Sequence, residues 1–268
     1  MLAFGILPVR AYAACLHGPV TANVMQLSRP IQEWLQWVLV TSIPLRHLDE
    51  LGNPIGIASG CLVISADRKF ILSARHAVTP ESKGWAIELG YDSENGTEMY
   101  WPKSFSYMAE MEKGSGILSD VDFCFAEVAA DLVSTYVHRT PRSVSDVRPR
   151  HIFRIEELVD PSPTAIYAFA GEVKPEMHGP NSFATEMNVY PNLRFLRSDG
   201  AFHVFQLPVD HPGHKSFRGC SGAPIVDMER RVVALVSDGD ETEGTIRGVA
   251  ISRAVTALNW YCNVRGAA

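Results

Sequence analysis

Gly219-Cys220-Ser221-Gly222-Ala223-Pro224, followed by the apolar pair Ile225-Val226, is the stretch on which the reading of this chain turns. A serine stands between glycines, ahead of a proline. Glycines there let the backbone turn sharply and let a carbonyl group approach closely. Such a turn aims the amides of Gly219 and Ser221 at one point, where an oxyanion can form. Gly-x-Ser-Gly also occurs in ordinary turns, so the chemistry depends on what stands upstream.

Two upstream stretches supply it. Phe70-Ile71-Leu72-Ser73-Ala74-Arg75-His76-Ala77-Val78 reads as an apolar strand ending in small residues and a histidine. A rigid strand end with little bulk around the imidazole suits a general base. Asp120-Val121-Asp122-Phe123-Cys124-Phe125-Ala126-Glu127-Val128 sets Asp122 at the head of a strand, where a carboxylate can orient an imidazole and stabilise its charged form. Asp120 reads as a solvated turn residue, because the apolar-Ala alternation starts directly after Asp122. A serine hydroxyl attacks at neutral pH only with a base in hydrogen-bond reach. The reading is therefore Ser221 as nucleophile, His76 as base and then acid, and Asp122 as the group that fixes the tautomer. Singly, each has a plain explanation: a turn serine, a core histidine, a strand-capping aspartate. In the order His, Asp, Ser they predict a triad. That order argues against an esterase built on Gly-x-Ser-x-Gly, where serine comes first.

These motifs resemble those of the chymotrypsin/trypsin-like serine peptidases, of the bacterial type. In that family a small-small-His motif, an Asp-apolar-Ala-apolar strand and Gly-Asp-Ser-Gly-Gly-Pro follow in this order, at separations close to the 46 and 99 residues found here. Val232-Val233-Ala234-Leu235-Val236-Ser237-Asp238-Gly239 is similar to the strand that pairs with substrate backbone. Gly248-Val249-Ala250-Ile251 is similar to the next strand, and Ser252 to Trp260 to the C-terminal helix. The likeness covers residues 37 to 263. It implies an all-β fold of two six-stranded antiparallel β-barrels with the site between them, an N-terminal extension and a short C-terminal helix. It also implies a serine endopeptidase that works through an acyl-enzyme on protein or peptide substrates, with no cofactor and no metal. The rival reading is a catalytically weak or inactive domain of the same fold that binds proteins. Such domains lose a triad member, and here all three stand.

The departures from the family pattern carry expectations of their own. Cys220 stands where the family has the aspartate that receives a newly cut N-terminal amine. A neutral thiol cannot make that ion pair, so the oxyanion hole is expected to be preformed or ordered by another contact. Regulation then falls to a partner protein or to the compartment. Some relatives use cysteine as nucleophile in Gly-x-Cys-Gly, but the register here favours Ser221 with Cys220 as the x. Arg75 precedes His76 and is expected to point away from the imidazole. Lys215, six residues before Ser221, falls at the place of the specificity-pocket floor, where an ammonium favours acidic side chains over basic ones. Asp238 replaces an aromatic of the substrate cleft. Ser216, Ser237 and Gly239 are expected to line the same pocket or to pair with substrate backbone.

Composition bounds the rest. The 268 residues are enough for one large or two small domains, and 46% apolar content supports a packed core. A net charge of −6 without long runs argues against nucleic acid or an anionic membrane as the main partner. No apolar stretch approaches the ~20 residues needed to span a bilayer. The five cysteines (Cys15, Cys61, Cys124, Cys220, Cys262) are odd in number and widely spaced, a poor disulfide framework. Ala77 stands where secreted animal relatives carry a cysteine. Both points lead to a reducing, cytoplasmic compartment, with a secreted or periplasmic location as the alternative. Met1 to Pro8 is apolar and Ala11-Tyr12-Ala13 mimics a cleavage site, but no basic segment precedes it and Arg10 interrupts. His203, His211 and His214 lack cysteine or carboxylate at ligand spacing, so they predict no metal site.

The expected organisation is an extension over 1–36, a first barrel over 37–130, a connection over 131–163, a second barrel over 164–251, and a helix and tail over 252–268. Ser28-Arg29-Pro30 signals a helix start, and Trp34 and Trp37 share a face for packing. The polar stretch 92–118 reads as a surface insertion in the first barrel.

Overall fold

The computed structural model describes residues 28–92, 96–111, 114–139, 145–177, 183–211 and 213–266. The signal-like text before residue 28 lies outside them.

Helix α1 (Arg29–Thr41) starts where the sequence signals it. Ser28 holds the N-cap position, its carbonyl accepts from the amides of Ile31 and Gln32, and Pro30 sits in the first turn. Proline fits there because its missing amide needs no partner. The helix crosses the boundary expected between residues 36 and 37. Its buried face (Trp34, Val38, Leu39) joins a core shared by residues of both halves, among them Phe70, Phe123, Ala170 and Val226. Trp34 Nε1 donates to the carbonyl of Asp227 at 2.8 Å, and Trp37 packs edge-on against His151 and Phe153. Buried Arg150 closes the far end, its Nη1 donating to the carbonyls of Leu39 and Ser42.

Seven strands follow: β1 (Ile43–Leu48), β2 (Pro54–Ser65), β3 (Arg68–Ser73), β4 (Trp85–Asp92), β5 (Gly96–Tyr100), β6 (Ser106–Met111) and β7 (Leu118–Val128). They form an antiparallel sheet in the order β5-β4-β1-β2-β3-β7-β6. Ala66 and Asp67 join β2 to β3, both at positive φ (47° and 60°), a two-residue turn whose twist matches the strands. Two details differ from the expectation. The stretch 92–118 is not an insertion, because it contributes β5 and β6 to the two edges of the sheet. Edge strands stay half exposed, so their hydrophobic text is thin. The sheet also does not close into a six-stranded barrel, since β5 and β6 do not pair with each other among the described residues.

The segment expected as a bare connection is structured too. β8 (Thr135–Arg139) and β9 (Ser145–Pro149) form a hairpin, and β10 (Ile152–Arg154) pairs parallel with β2 as the eighth strand of the first sheet. A 3-10 turn at Ile155–Glu157 then leads into the second half.

There β11 (Tyr167–Met177), β12 (Phe183–Asp199), β13 (Phe202–Gln206), β14 (Pro224–Asp227), β15 (Val232–Asp240) and β16 (Thr245–Ala250) close a barrel in the order β11-β12-β13-β16-β15-β14. Helix α2 (Ile251–Gly266) packs Ile251, Ala254 and Leu258 into the shared core, sets Tyr261 against Phe70 and Phe125, and pairs Arg253 with Glu110. Among the described residues, no helix is long and apolar enough to cross a membrane.

Candidate active site

The pairing of β3 with β7 brings the first two site residues together. Ser73, the last residue of β3, lies opposite Cys124. Asp122, two residues earlier on β7, therefore projects past the end of β3, beside the tight turn that carries His76. That turn is closed by the amides of Ala77 and Val78 on the carbonyl of Ala74. The backbone amide of His76 donates to Oδ1 of Asp122 at 2.8 Å, and the ring Nδ1 lies 2.8 Å from Oδ2. A carboxylate only accepts, so Nδ1 carries the proton and Nε2 is left as the acceptor. Nε2 stands 2.9 Å from the hydroxyl of Ser221, which donates to it. His76, Asp122 and Ser221 thus form one hydrogen-bonded line across the seam between the two halves.

Ser237 completes the carboxylate shell: its hydroxyl donates to Oδ2 of Asp122. Burial pushes the Asp122 carboxyl up, but the hydrogen bonds from His76 and Ser237 hold it below the ordinary carboxylate range. The bond from His76 to Asp122 holds the imidazole above its ordinary value, against desolvation, with added charge from Asp122 and Asp238.

The Ser221 turn is built on glycines at positive φ, Gly219 at 103° and Gly222 at 88°. A Cβ on Gly219 would meet the carbonyl of Glu172 at 2.2 Å, and one on Gly222 would meet the carbonyl of Ser59 at 2.1 Å. Among the described residues, the amides of Gly219 and Ser221 donate to no backbone carbonyl, whereas those of Cys220 and Gly222 are bonded to Phe217 and Val236. Two free donors one residue apart beside the Ser221 hydroxyl are the arrangement an oxyanion hole needs. Cys220 points inward, fully buried, with its Sγ against Gly171. Burial, then the Glu172 carboxylate, pushes its thiol up, so it stays protonated and away from the reacting face.

The other expected site residues are placed as follows. Asp238 lines a cleft of about 540 Å³ beside His76, with Arg75, Pro80 and Phe202. Asp238 is paired there with Arg247, whose guanidinium lies over the Phe202 ring. Arg75 turns from the imidazole toward Asp120, with which it pairs. Gly239 leaves little room for a side chain, since a Cβ would stand 2.9 Å from the carbonyl of Thr245. Lys215 and Ser216 lie on the 3-10 turn His214–Phe217; Ser216 offers its carbonyl to the Tyr190 hydroxyl, and Lys215 is exposed, not enclosed in a pocket floor. Ser237, expected along the substrate, gives its hydroxyl to Asp122. Among the described residues, no group of three or more His, Cys, Asp or Glu is arranged to hold a metal ion. His203 meets the Ser198 hydroxyl, His211 accepts from the Gly213 amide, and His214 lies near Glu241.

Two contacts had no motif to announce them. Ser59 reaches from β2 to the Ser221 turn. Arg46 on β1 forms a buried cluster with Glu88 on β4 and Glu172 on β11. The one sequence signal was a serine, or an arginine, set inside an otherwise apolar strand.

No family model and no curated protein matches the chain. Solved structures do. HBP, a heparin binding protein, is similar at 12% identity and a TM-score of 0.52, over 84% of this chain and 92% of that one. Neuropsin, a serine protease expressed in the limbic system of mouse brain, is similar at 10% identity and a TM-score of 0.50, over 84% and 95%. A serine endoprotease from Yersinia pestis matches at 12% identity and a TM-score of 0.47, over 85% of this chain, which spans 65% of that protein's length. These are likenesses of fold; two of these neighbours are named for proteolysis and one for binding heparin.

Proposed function

We propose that this chain, which has the fold of the chymotrypsin/trypsin-like serine proteases, is a serine endopeptidase. The observation that carries the reading is the line Asp122–His76–Ser221, with heavy-atom separations of 2.8 and 2.9 Å, beside two unpaired amides. Ser221 Oγ attacks the carbonyl carbon of the scissile peptide bond as its proton passes to His76 Nε2. The carbonyl oxygen becomes an oxyanion held by the amides of Gly219 and Ser221. The C–N bond breaks, His76 returns the proton to the departing amine, and Ser221 keeps the acyl group. Water then attacks the ester, His76 takes its proton, and Ser221 leaves with a proton from His76. Asp122 keeps the imidazole in the productive tautomer throughout.

The substrates are peptides or proteins, read along β15 and the cleft beside His76. Cys220 offers no anion to a new N-terminal amine, which supports control by a partner protein or compartment over control by N-terminal cleavage. The described cysteines are free thiols, three of them buried, which supports a reducing compartment such as the cytoplasm.

The test is labelling with a fluorophosphonate probe. Wild type is expected to label and Ser221→Ala to lose the label. An unlabelled wild type overturns the reading in favour of a protein-binding domain on the same fold.

A further inference from the structure

Ser59 spends both its amide and its hydroxyl on the seam between the two halves. It lies on β2 of the first sheet and is 1% exposed. Its amide donates to the carbonyl of Ser221 at 2.9 Å, and its hydroxyl donates to the carbonyl of Gly219 at 2.8 Å. Its own carbonyl accepts from the hydroxyl of Ser73 at 2.7 Å, so the clasp is itself anchored to β3. The two residues whose carbonyls it holds are the two whose amides stand free beside the Ser221 hydroxyl.

We infer that Ser59 is a positioning residue that preorganises the oxyanion hole. The inference rests on the peptidase reading above and adds to it how the hole is held. In a tight turn, fixing a residue's carbonyl on one side constrains where the adjoining peptide planes point. Ser59 draws the carbonyls of Gly219 and Ser221 inward, toward β2. With ψ of Gly219 and of Ser221 restrained in this way the turn keeps one shape, and the amides of the same two residues, which donate to no backbone carbonyl among the described residues, stay available to an oxyanion. Gly219 makes this restraint matter: at φ 103° it is in a region where glycine moves freely, so its peptide planes need an outside contact to stay in one orientation. Cys220, between them, is neutral and makes no ion pair that could do the same. The hydroxyl bond of Ser59 supplies a fixed restraint that is already made before substrate arrives, as preorganised donors require.

The test compares Ser59→Thr with Ser59→Val, and both with Ser59→Ala. Threonine and valine share one shape, so any packing strain falls on both, and only the hydroxyl differs. The readout is the fluorophosphonate reaction, split into the maximal inactivation rate and the probe concentration at half-maximal rate. Val and Ala are expected to lower the maximal rate roughly 10- to 100-fold with little change in the half-saturating concentration, because the phosphoryl oxygen is stabilised mainly during reaction. Thr is expected to stay within about threefold of wild type. Equal rates in Thr and Val overturn the role of Ser59, and so does a loss carried wholly by weaker probe binding. If the branched variants do not fold, Ala against wild type decides in the same way. A wild type that does not label at all overturns the peptidase reading first, and this inference with it.

Discussion

The hydroxyl of Ser237 donates to Oδ2 of Asp122, the same carboxylate oxygen that receives the Nδ1 proton of His76, while Oδ1 takes the His76 backbone amide. Three donors from two chain segments leave the carboxylate little freedom to rotate. Ser237→Ala removes one of them and is expected to slow fluorophosphonate labelling by about 10-fold. Asp122→Asn keeps the shape but presents an amide to Nδ1, which favours the wrong tautomer, and is expected to cost about 10⁴-fold. If Ser237→Ala labels at the wild-type rate, the Ser237 bond does not matter to the triad.

The imidazole of His76 is held above its ordinary value, first by its bond to Asp122 and further by the charges of Asp122 and Asp238. Catalysis needs the neutral ring, so the acid limb of the labelling rate is expected above about pH 6.5. Asp238→Asn withdraws one negative charge and leaves Arg247 without its partner, and both changes disfavour the imidazolium. The limb should move to lower pH. The stability sign runs the other way: the bonus from charged His76 is complete below its unfolded value and fades as pH rises through the folded one. A limb that stays in place in Asp238→Asn removes that residue from the account.

Cys220 sits beside Ser221, the proposed nucleophile, with its thiol turned away from the reacting face. Its Sγ is packed against Gly171, and burial pushes the thiol up. Only the thiolate reacts, so iodoacetamide should leave Cys220 of the folded protein unmodified at neutral pH. Cys220→Ala should keep fluorophosphonate labelling and lose stability by about 1–3 kcal/mol, the scale of a small core truncation. Loss of labelling in a folded Cys220→Ala, with Ser221→Ala still reactive, reverses the assignment of the nucleophile.

What could be read in advance follows from what each feature is made of. His76, Asp122 and Ser221 were legible because each rests in a local context, a strand end, a strand start and a glycine turn, and their order along the chain is fixed by the strands that carry them. The strands of the second half were legible for the same reason, in short apolar runs such as Val232–Val236, whereas their closure into a barrel was implied by the family resemblance and not by the runs. The edges of the first sheet were not. β5 and β6 bury only part of one face, so the alternation that marks a strand is diluted by polar and aromatic residues. Counting back from Ser221 puts Lys215 at the place of a pocket floor, but the 3-10 turn His214–Phe217 leaves it exposed. Ser59 is separated from Gly219 by 160 residues, so their bond leaves no local pattern to find.

Arg46 was hidden for that reason as well, and it yields the last prediction. The residue is 5% exposed, and its Nη2 reaches Glu88 at 2.6 Å on its own sheet and Glu172 at 2.5 Å on the second barrel. Thr185 adds a hydroxyl to the same Glu172 oxygen, and the Phe183 ring lies 5.4 Å from the guanidinium. Burial works against the charge on Arg46, but the two carboxylates outweigh it and hold the guanidinium protonated. Removing one member leaves the others charged and dry, which costs about 3–5 kcal/mol. Arg46→Met strands two carboxylates and should be the worse variant. Glu172→Gln keeps an acceptor for Thr185 and leaves Glu88 to pair with Arg46, so it should cost less. Because the Glu172 carbonyl lies against Gly219, Arg46→Met that still folds should also label more slowly. Denaturant midpoints of the two single variants and the double variant decide it. The double variant should lose less than the two singles added together, because the second removal no longer strands a partner. Strict additivity would mean that Arg46 and Glu172 do not hold the halves together as a pair.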